Sequence, residues 1–335
     1  MSTPPVILYR YDASPFSHKI DNALTVKGIP HEKVNVSPML PRPEITDALG
    51  ITYRRIPILA IGNDVYCDTS LITSVLERRF PTSKGYHSLF PARKNGGSTD
   101  TGLVKAISKF YADSVLFAPA SSLLPWDKIP EPFLKDRSAL RGSPLNPKAI
   151  AAARPLSETF LSSNMLLIEE QLSDSRDWLF DTESPSLADI SIHFVFAWAR
   201  SFKGTEVLFD SNKNSHTVKW LDRVNDFLKK QRASQKAPTK LHGADAASKI
   251  VAGSHESYEI VGFDALEASR LGVKLGDTVQ VAPEDTGRNY PTVGKLVALN
   301  REELVLEVQG NKGLIRCHFP RLGFFVKQAS ASAKL

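Results

Sequence analysis

One ordered run of alternating segments, residues 6 to 80, restricts the fold more than anything else in the chain. The apolar "VILYRY" reads as a strand, Pro15 to Lys27 as a helix opened by Ser14 and closed by Gly28, and "HEKVNV" as a second strand. A proline-rich loop, "SPMLPRPEI", follows. Then "IPILAIG" and "DVYC" form two strands around the turn "GND", and "DTSLITSVLERRF" makes a helix stopped by Pro81. The order is βαβ, then ββα. A parallel pair needs a crossover and a hairpin does not, so this order calls for a small mixed sheet with helices on both faces.

From about residue 100 to 230 the strand signals disappear, and helices are expected at Gly102 to Phe117, Pro147 to Leu172, Leu187 to Ser201 and Ser215 to Lys229. Between the first two lies "PWDKIPEPFLKDRSALRGSPLNP", too rich in proline for one helix and long enough to be a functional flap. "SPSLADISIHF" carries a capping box: Ser186 as N-cap and Asp189 three residues on, both satisfying free amides ahead of an apolar run. The last 80 residues change character again. "LGVKLGDTVQVAP", "PTVGKLVALN", "ELVLEVQG", "GLIRCHF" and "GFFVKQ" are short β-rich runs at regular spacing, which predict about five strands in a small barrel or curled sheet, preceded by a short helix within Tyr258 to Leu271.

The net charge of +6 raises the question of nucleic acid, and the distribution of that charge answers it. Residues 1–228 carry 26 Lys and Arg against 25 Asp and Glu, residues 229–249 carry 6 against 1, and residues 250–335 carry 10 against 10, giving +1, +5 and 0. The surplus lies in "KKQRASQKAPTKLHGADAASK", whose composition fits a solvated linker better than a groove that tracks phosphates. No run of about 18 apolar residues is present to span a bilayer, and "MSTPPVILYRYD" lacks the pattern of a signal peptide, so cytoplasmic residence is expected. The terminal Ala333-Lys334-Leu335 differs by one small residue from a peroxisomal address, which makes peroxisomal import the competing expectation. Cys67 and Cys317 are far apart in sequence and suggest neither a disulfide framework nor a metal site.

The first 85 residues have the thioredoxin-like layout, and residues 5 to 230 as a whole resemble the cytosolic glutathione transferases. The residues that carry the resemblance are "SPFSHK" at the first helix, "RRIPIL" at a strand start, "DVYCDTSLITSVLERRFP" and "SPSLADISI". "PRPEITDALGITYRRIPILAIGNDVYCDTSLI" with "PEPFLKDRSAL" looks like a bacterial and fungal branch of that superfamily, and the β-rich end resembles an appended domain of some fungal members. The resulting expectation is a thioredoxin-like α/β domain at 1–85, an all-helical domain at 98–231, a basic linker at 232–249, a small mostly-β, barrel-like domain at 250–328 and a tail at 329–335.

The resemblance implies glutathione as cosubstrate, no metal, a small electrophile as second substrate and a homodimer. Proline cannot donate to a strand ladder, so Pro57 belongs at a strand start or edge. In the family this bond is cis, which leaves the Ile56 backbone to pair with the cysteinyl part of glutathione. Asp68 and Thr69 cap the next helix, and in the family this place holds the γ-glutamyl end, with Asp68 meeting the ammonium and Thr69 the carboxylate. Arg55 is the basic residue expected to hold the glycyl carboxylate.

Ser14 with Pro15 is an N-cap and N1 pair, and in the family the same position faces the glutathione sulfur. The helix dipole and a hydroxyl both favour thiolate there. Serine cannot form the mixed disulfide of a glutaredoxin-like cycle, so conjugation to an electrophile is expected of Ser14. A glutathione-dependent double-bond isomerase is the nearest alternative, and a non-catalytic binding protein of the same fold is the other. Ser17 reads as helix surface, His18 as an exposed bystander, and Asp21 stands where relatives carry arginine. The electrophile is expected between Tyr11 and Phe16 on one side and Phe110, Tyr111, Ser114, Phe117 and a Trp126 lid on the other.

Overall fold

A computed structural model of the chain describes residues 4–329. The expected first domain is present: β1 (Val6–Arg10), α1 (Pro15–Lys27), β2 (Glu32–Asn35), a short α2 (Pro43–Thr46), β3 (Ile58–Ile61), β4 (Asp64–Cys67) and α3 (Thr69–Arg79). β1 pairs parallel with β2 and antiparallel with β3, which makes the hairpin with β4. The local signals act as read. The Ser14 hydroxyl accepts the Ser17 N–H, Pro15 sits in the first turn, and Gly28 closes the helix at φ 70°, a left-handed conformation that glycine adopts without a Cβ penalty.

In the helical region, α4 (Thr101–Ala106) passes through a wider π-type segment, Ile107–Leu116, into α5 (Phe117–Ser122). The proline-rich flap contains a helix, α6 (Glu131–Arg141), because its prolines fall in and just before the first turn, where no N–H is needed. The helix expected over Pro147 to Leu172 is divided at Ala153 into α7 (Pro147–Ala152) and α8 (Arg154–Gln171), with Pro155 opening the second. α9 (Leu187–Arg200) begins with the expected capping box, and Asp189 also accepts from Leu179 N and from Trp220 Nε1 of α10 (Ser215–Ala233).

The basic stretch expected to be a solvated linker is largely ordered. β5 (Thr239–Lys240) pairs with β2, and α11 (Gly243–Ala252) packs on α2, while Lys249 lies 2.7 Å from Glu32. After α12 (Ala265–Leu271) come β6 (Thr278–Pro283), β7 (Thr292–Leu299), β8 (Glu303–Gly310), β9 (Gly313–Pro320) and β10 (Phe324–Gln328). Their five-strand count agrees with the sequence, but their setting differs from that of a free-standing barrel. All ten strands form one sheet in the order β10-β6-β7-β8-β9-β4-β3-β1-β2-β5.

The junction is a parallel pairing of β9 with β4, Val65 opposite Cys317 and Tyr66 opposite His318. An edge strand carries a row of unpaired backbone groups, and β9 covers those of β4. One apolar core is then shared, with Ile7, Tyr9, Ile58 and Cys67 packed in the same cluster as Val279, Leu296, Phe319 and Phe324. The two cysteines meet inside it, their sulfurs 3.9 Å apart. Among the described residues no helix is long and apolar enough to cross a membrane. The Ala-Lys-Leu end lies outside the described residues.

Candidate functional site

Register places the candidate residues. Tyr9 of β1 lies opposite Ile58 of β3, and Ile58 lies opposite Cys67 of β4, so one row crosses three strands at one end of the sheet. β1 runs out of that row toward Ser14, β3 enters it from Pro57, and β4 leaves it into Asp68. Three short segments, distant in sequence, thereby emerge at the same sheet end.

Each has local geometry suited to binding. Ser14 is nearly buried, at 2% exposure, and its Oγ accepts the Ser17 N–H at 3.2 Å. A hydroxyl has one proton to donate as well. No described residue takes that proton, so it remains available to an incoming acceptor. The Ile56–Pro57 bond is cis. Asp68 caps α3 at φ 74° and ψ 135°, a conformation costly for a residue with a Cβ and common where a backbone is held for a ligand.

Charge surrounds this cap. The Asp68 carboxylate accepts from Ser70 N at 3.0 Å and from Lys109 Nζ at 3.1 Å, with Arg55 Nη1 3.9 Å away. Burial alone would raise the Asp68 carboxyl, but Lys109, Ser70 and Arg55 outweigh it and hold it below the usual carboxylate range. Thr69 Oγ1 donates to Asp113 at 3.2 Å, and Asp113 in turn receives the fully buried Lys19 at 2.7 Å. Lys19 also donates to Ser108, whose hydroxyl meets Ser191 at 2.8 Å. This polar seam joins α1 and α3 to the π-type segment and α9. Burial pushes Lys19 down and Asp113 up, as expected for a dry pair.

Arg55 is engaged otherwise than expected. Its Nε and Nη2 donate to the Thr286 carbonyl at 3.0 and 2.6 Å, and Nη2 also meets the Asp285 carboxylate, so the β6–β7 loop reaches the site. Nothing in the local sequence announces that loop as part of it. α6 closes the same side: Asp136 receives Arg54 Nη2 at 2.7 Å and Leu40 N at 3.1 Å, and Arg137 donates to Pro38 O at 2.7 Å and reaches Tyr11 Oη at 3.4 Å.

The expected acceptor pocket does not assemble as a unit. Phe16 faces Phe117 at 4.5 Å between ring centres and Phe194 at 5.3 Å, and Phe117 stacks on Trp198. Phe117 and Phe194 are therefore the aromatic neighbours of Phe16, with Trp198 behind Phe117, at positions that helical spacing alone gives to a core. Tyr111 turns the other way and donates to Asn164 of α8 at 3.0 Å. Phe110 is exposed and lines a cavity of about 320 Å³ against Ser70, Ser74 and Leu322. Ser114 donates back to Lys109 O, and Trp126 is buried with its Nε1 on Ser121 O at 2.9 Å, which makes it packing rather than a free lid.

The neighbours of Ser14 are also clarified. Ser17 is fully buried, not on the helix surface, and its hydroxyl has no partner among the described residues. His18 is exposed and its Nε2 lies 2.8 Å from Asp12 O. Asp21 is buried against Arg10 Nε at 3.0 Å and Lys33 Nζ at 2.9 Å, so the departure from arginine serves an ion cluster within the first domain. Among the described residues no group of three or more His, Cys, Asp or Glu side chains could hold a metal ion.

The fold defines a class: a thioredoxin-like N-terminal domain with a helical partner and a β-rich C-terminal region. Residues 8–84 match the family described as "Glutathione S-transferase, N-terminal domain", and residues 116–233 match "Domain of unknown function (DUF7962)". The chain is similar to a crystal structure of a GST-like protein from Pseudomonas syringae, at 28% identity and a TM-score of 0.73 over 98% of this chain and 100% of that one. The match takes in the C-terminal strands as well as the first two regions. More distant likenesses, of fold alone, are to a rice glutathione transferase in complex with glutathione (18% identity, TM-score 0.50, 71% of this chain and 93% of that one) and to the beta-etherase LigF from Sphingobium (22%, 0.50, 69% and 99%). No curated protein matches the chain. Together the findings show a glutathione S-transferase N-terminal domain at residues 8–84 and a likeness of the whole chain to a GST-like protein.

Proposed function

We propose that the protein is a glutathione transferase in which Ser14 steadies the glutathione thiolate for attack on an apolar electrophile. The observation that carries this reading is the uncommitted Ser14 O–H at the N-terminus of α1, at the sheet end shared with Pro57 and Asp68. Glutathione would lie across that end. Its γ-glutamyl ammonium meets Asp68, its γ-glutamyl carboxylate the Thr69 end of α3, its cysteinyl backbone Ile56, and its glycyl carboxylate Arg55. The sulfur then faces Ser14, where the hydroxyl and the helix dipole both favour the anion. Serine leaves no mixed disulfide to form, so the protein lowers the thiol pKa and positions the electrophile, with the Phe16, Phe117 and Trp198 group as the apolar wall.

Calorimetry with glutathione, followed by conjugation of a generic aryl halide by wild type and Ser14→Ala, tests the reading. Saturable binding with turnover that falls in Ser14→Ala supports it. No binding of glutathione by the folded protein overturns it.

A further inference from the structure

Arg55 is held on two sides by groups of opposite character. One is the Thr286 carbonyl, which takes both Nε and Nη2 and belongs to a well-fixed limb of the β6–β7 loop. That limb is pinned at several points: Gly287 N donates to Leu140 O of α6 at 2.7 Å, the Arg54 guanidinium lies 4.6 Å over the Tyr290 ring, and Tyr53 N donates to Thr292 Oγ1 at 3.1 Å. Gly287 is at φ +77°, a left-handed conformation that glycine adopts without a Cβ penalty. The other group is the Asp285 carboxylate, whose side chain is 70% exposed while that of Arg55 is 21% exposed.

An ion pair with one partner in water contributes little net stability, because the carboxylate gives up hydration and side-chain freedom to make it. The carbonyl contact therefore aims the guanidinium, and the carboxylate contact is the exchangeable one. We infer that Asp285 occupies the place of the terminal carboxylate of the thiol cosubstrate, as an internal competitor that an incoming glycyl carboxylate displaces from Arg55. The inference rests on the glutathione reading above and adds to it a specificity-determining residue supplied by the C-terminal strands. Thr286 is on this account a positioning residue, acting through its backbone on Arg55.

The charge arithmetic gives the direction of the effect. Without ligand, Arg55 is flanked by Asp285 and, at 3.9 Å, by Asp68. A third carboxylate arriving at the same guanidinium meets repulsion from Asp285 until that side chain swings into solvent. Removing the Asp285 charge removes the competitor and leaves the Thr286 brace in place.

The test is calorimetric titration of wild type, Asp285→Asn and Asp285→Ala with glutathione and with glutathione esterified at its glycyl carboxylate. Both variants are expected to bind glutathione about two- to fivefold more tightly than wild type, the size expected for relieving one exposed charge contact. They are expected to bind the ester no better than wild type does. Unchanged or weaker binding of glutathione by both variants, or an equal gain for the ester, overturns the inference while the glutathione reading stands. Failure of all three folded proteins to bind glutathione overturns both.

Discussion

His318 Nε2 of β9 lies 3.1 Å from Asp64 Oδ1 of β4, and its other ring nitrogen lies 3.5 Å from Glu303 of β8, all three side chains being buried. Arg79 reaches Asp64 at 2.8 Å, and Arg78 bridges Glu303 and Glu256 at 3.1 and 2.8 Å. Asp64, Glu256 and Glu303 are balanced by Arg78 and Arg79 only when His318 is also charged. Burial opposes that charge, but Asp64 and Glu303 outweigh it and raise the imidazolium above its ordinary value. The pairing of the C-terminal strands with the first sheet is thus held by an ionic cluster as well as by the ladder.

Stability should depend on pH accordingly. A raised His318 contributes fully below the unfolded imidazole value of about 6.5 and loses its contribution as pH rises through the folded one. Asp64 and Glu303 are held below the usual carboxylate range, so their contribution is lost as pH falls through their folded values. The melting temperature is expected to peak in mildly acidic solution and decline on the alkaline side. His318→Gln should flatten the alkaline decline and cost about 3 kcal/mol at the optimum, as for a broken buried pair. Circular dichroism melts at stepped pH measure both, and an unchanged alkaline limb in the variant would refute the assignment.

Ser14→Ala removes a hydrogen bond to an anion, which contributes about 1.5–3 kcal/mol, or roughly one to two pH units on the thiol. The pKa of bound glutathione, read from thiolate absorbance, should rise by that amount, and loss of the cap should cost a further ~1 kcal/mol of stability. In Ser14→Cys a thiol sits at a helix N-terminus, and a mixed disulfide with glutathione should appear in the intact mass after mild oxidation.

Asp68→Asn separates charge from shape. Asparagine tolerates positive φ and still caps α3, so the fold should melt within a few degrees of wild type. Loss of the negative charge leaves Lys109 and Arg55 without their shared carboxylate and the ammonium of the ligand without a partner. Glutathione affinity is expected to fall about tenfold or more. An affinity equal to wild type would assign Asp68 to capping alone.

Cys67 and Cys317 should be silent toward thiol reagents in the native state, since both are buried and burial raises the Cys67 thiol well above its ordinary value. Across a denaturant series the two should become reactive together, at the concentration where β4 and β9 part. Separate transitions would mean that the C-terminal strands unfold apart from the first sheet.

The sequence was informative where an interaction spans a few residues. Ser14 with Pro15 and the Ser186–Asp189 box set helix starts through bonds from amides three residues on, Gly28 sets a helix end by donating to carbonyls three and four residues back, and the alternation over residues 6–80 set the order of elements. The same range of vision explains the errors at Ser17 and Trp126. Periodicity tells which residues share a face, but whether that face meets solvent depends on a helix 90 or more residues away, as the Lys19–Asp113 pair illustrates.

What the sequence by itself determined, then, is the elements of the first domain, the five C-terminal strands, the caps at Ser14, Gly28 and Ser186, and the three segments that can converge at one sheet end. Only tertiary structure decided that β9 covers β4, that Cys67 meets Cys317, and that Asp285 reaches Arg55 across 230 positions. The physical reason is that backbone ladders and apolar burial carry no record of sequence separation. Any edge strand can accept any other, and the choice is made by the shared core they enclose.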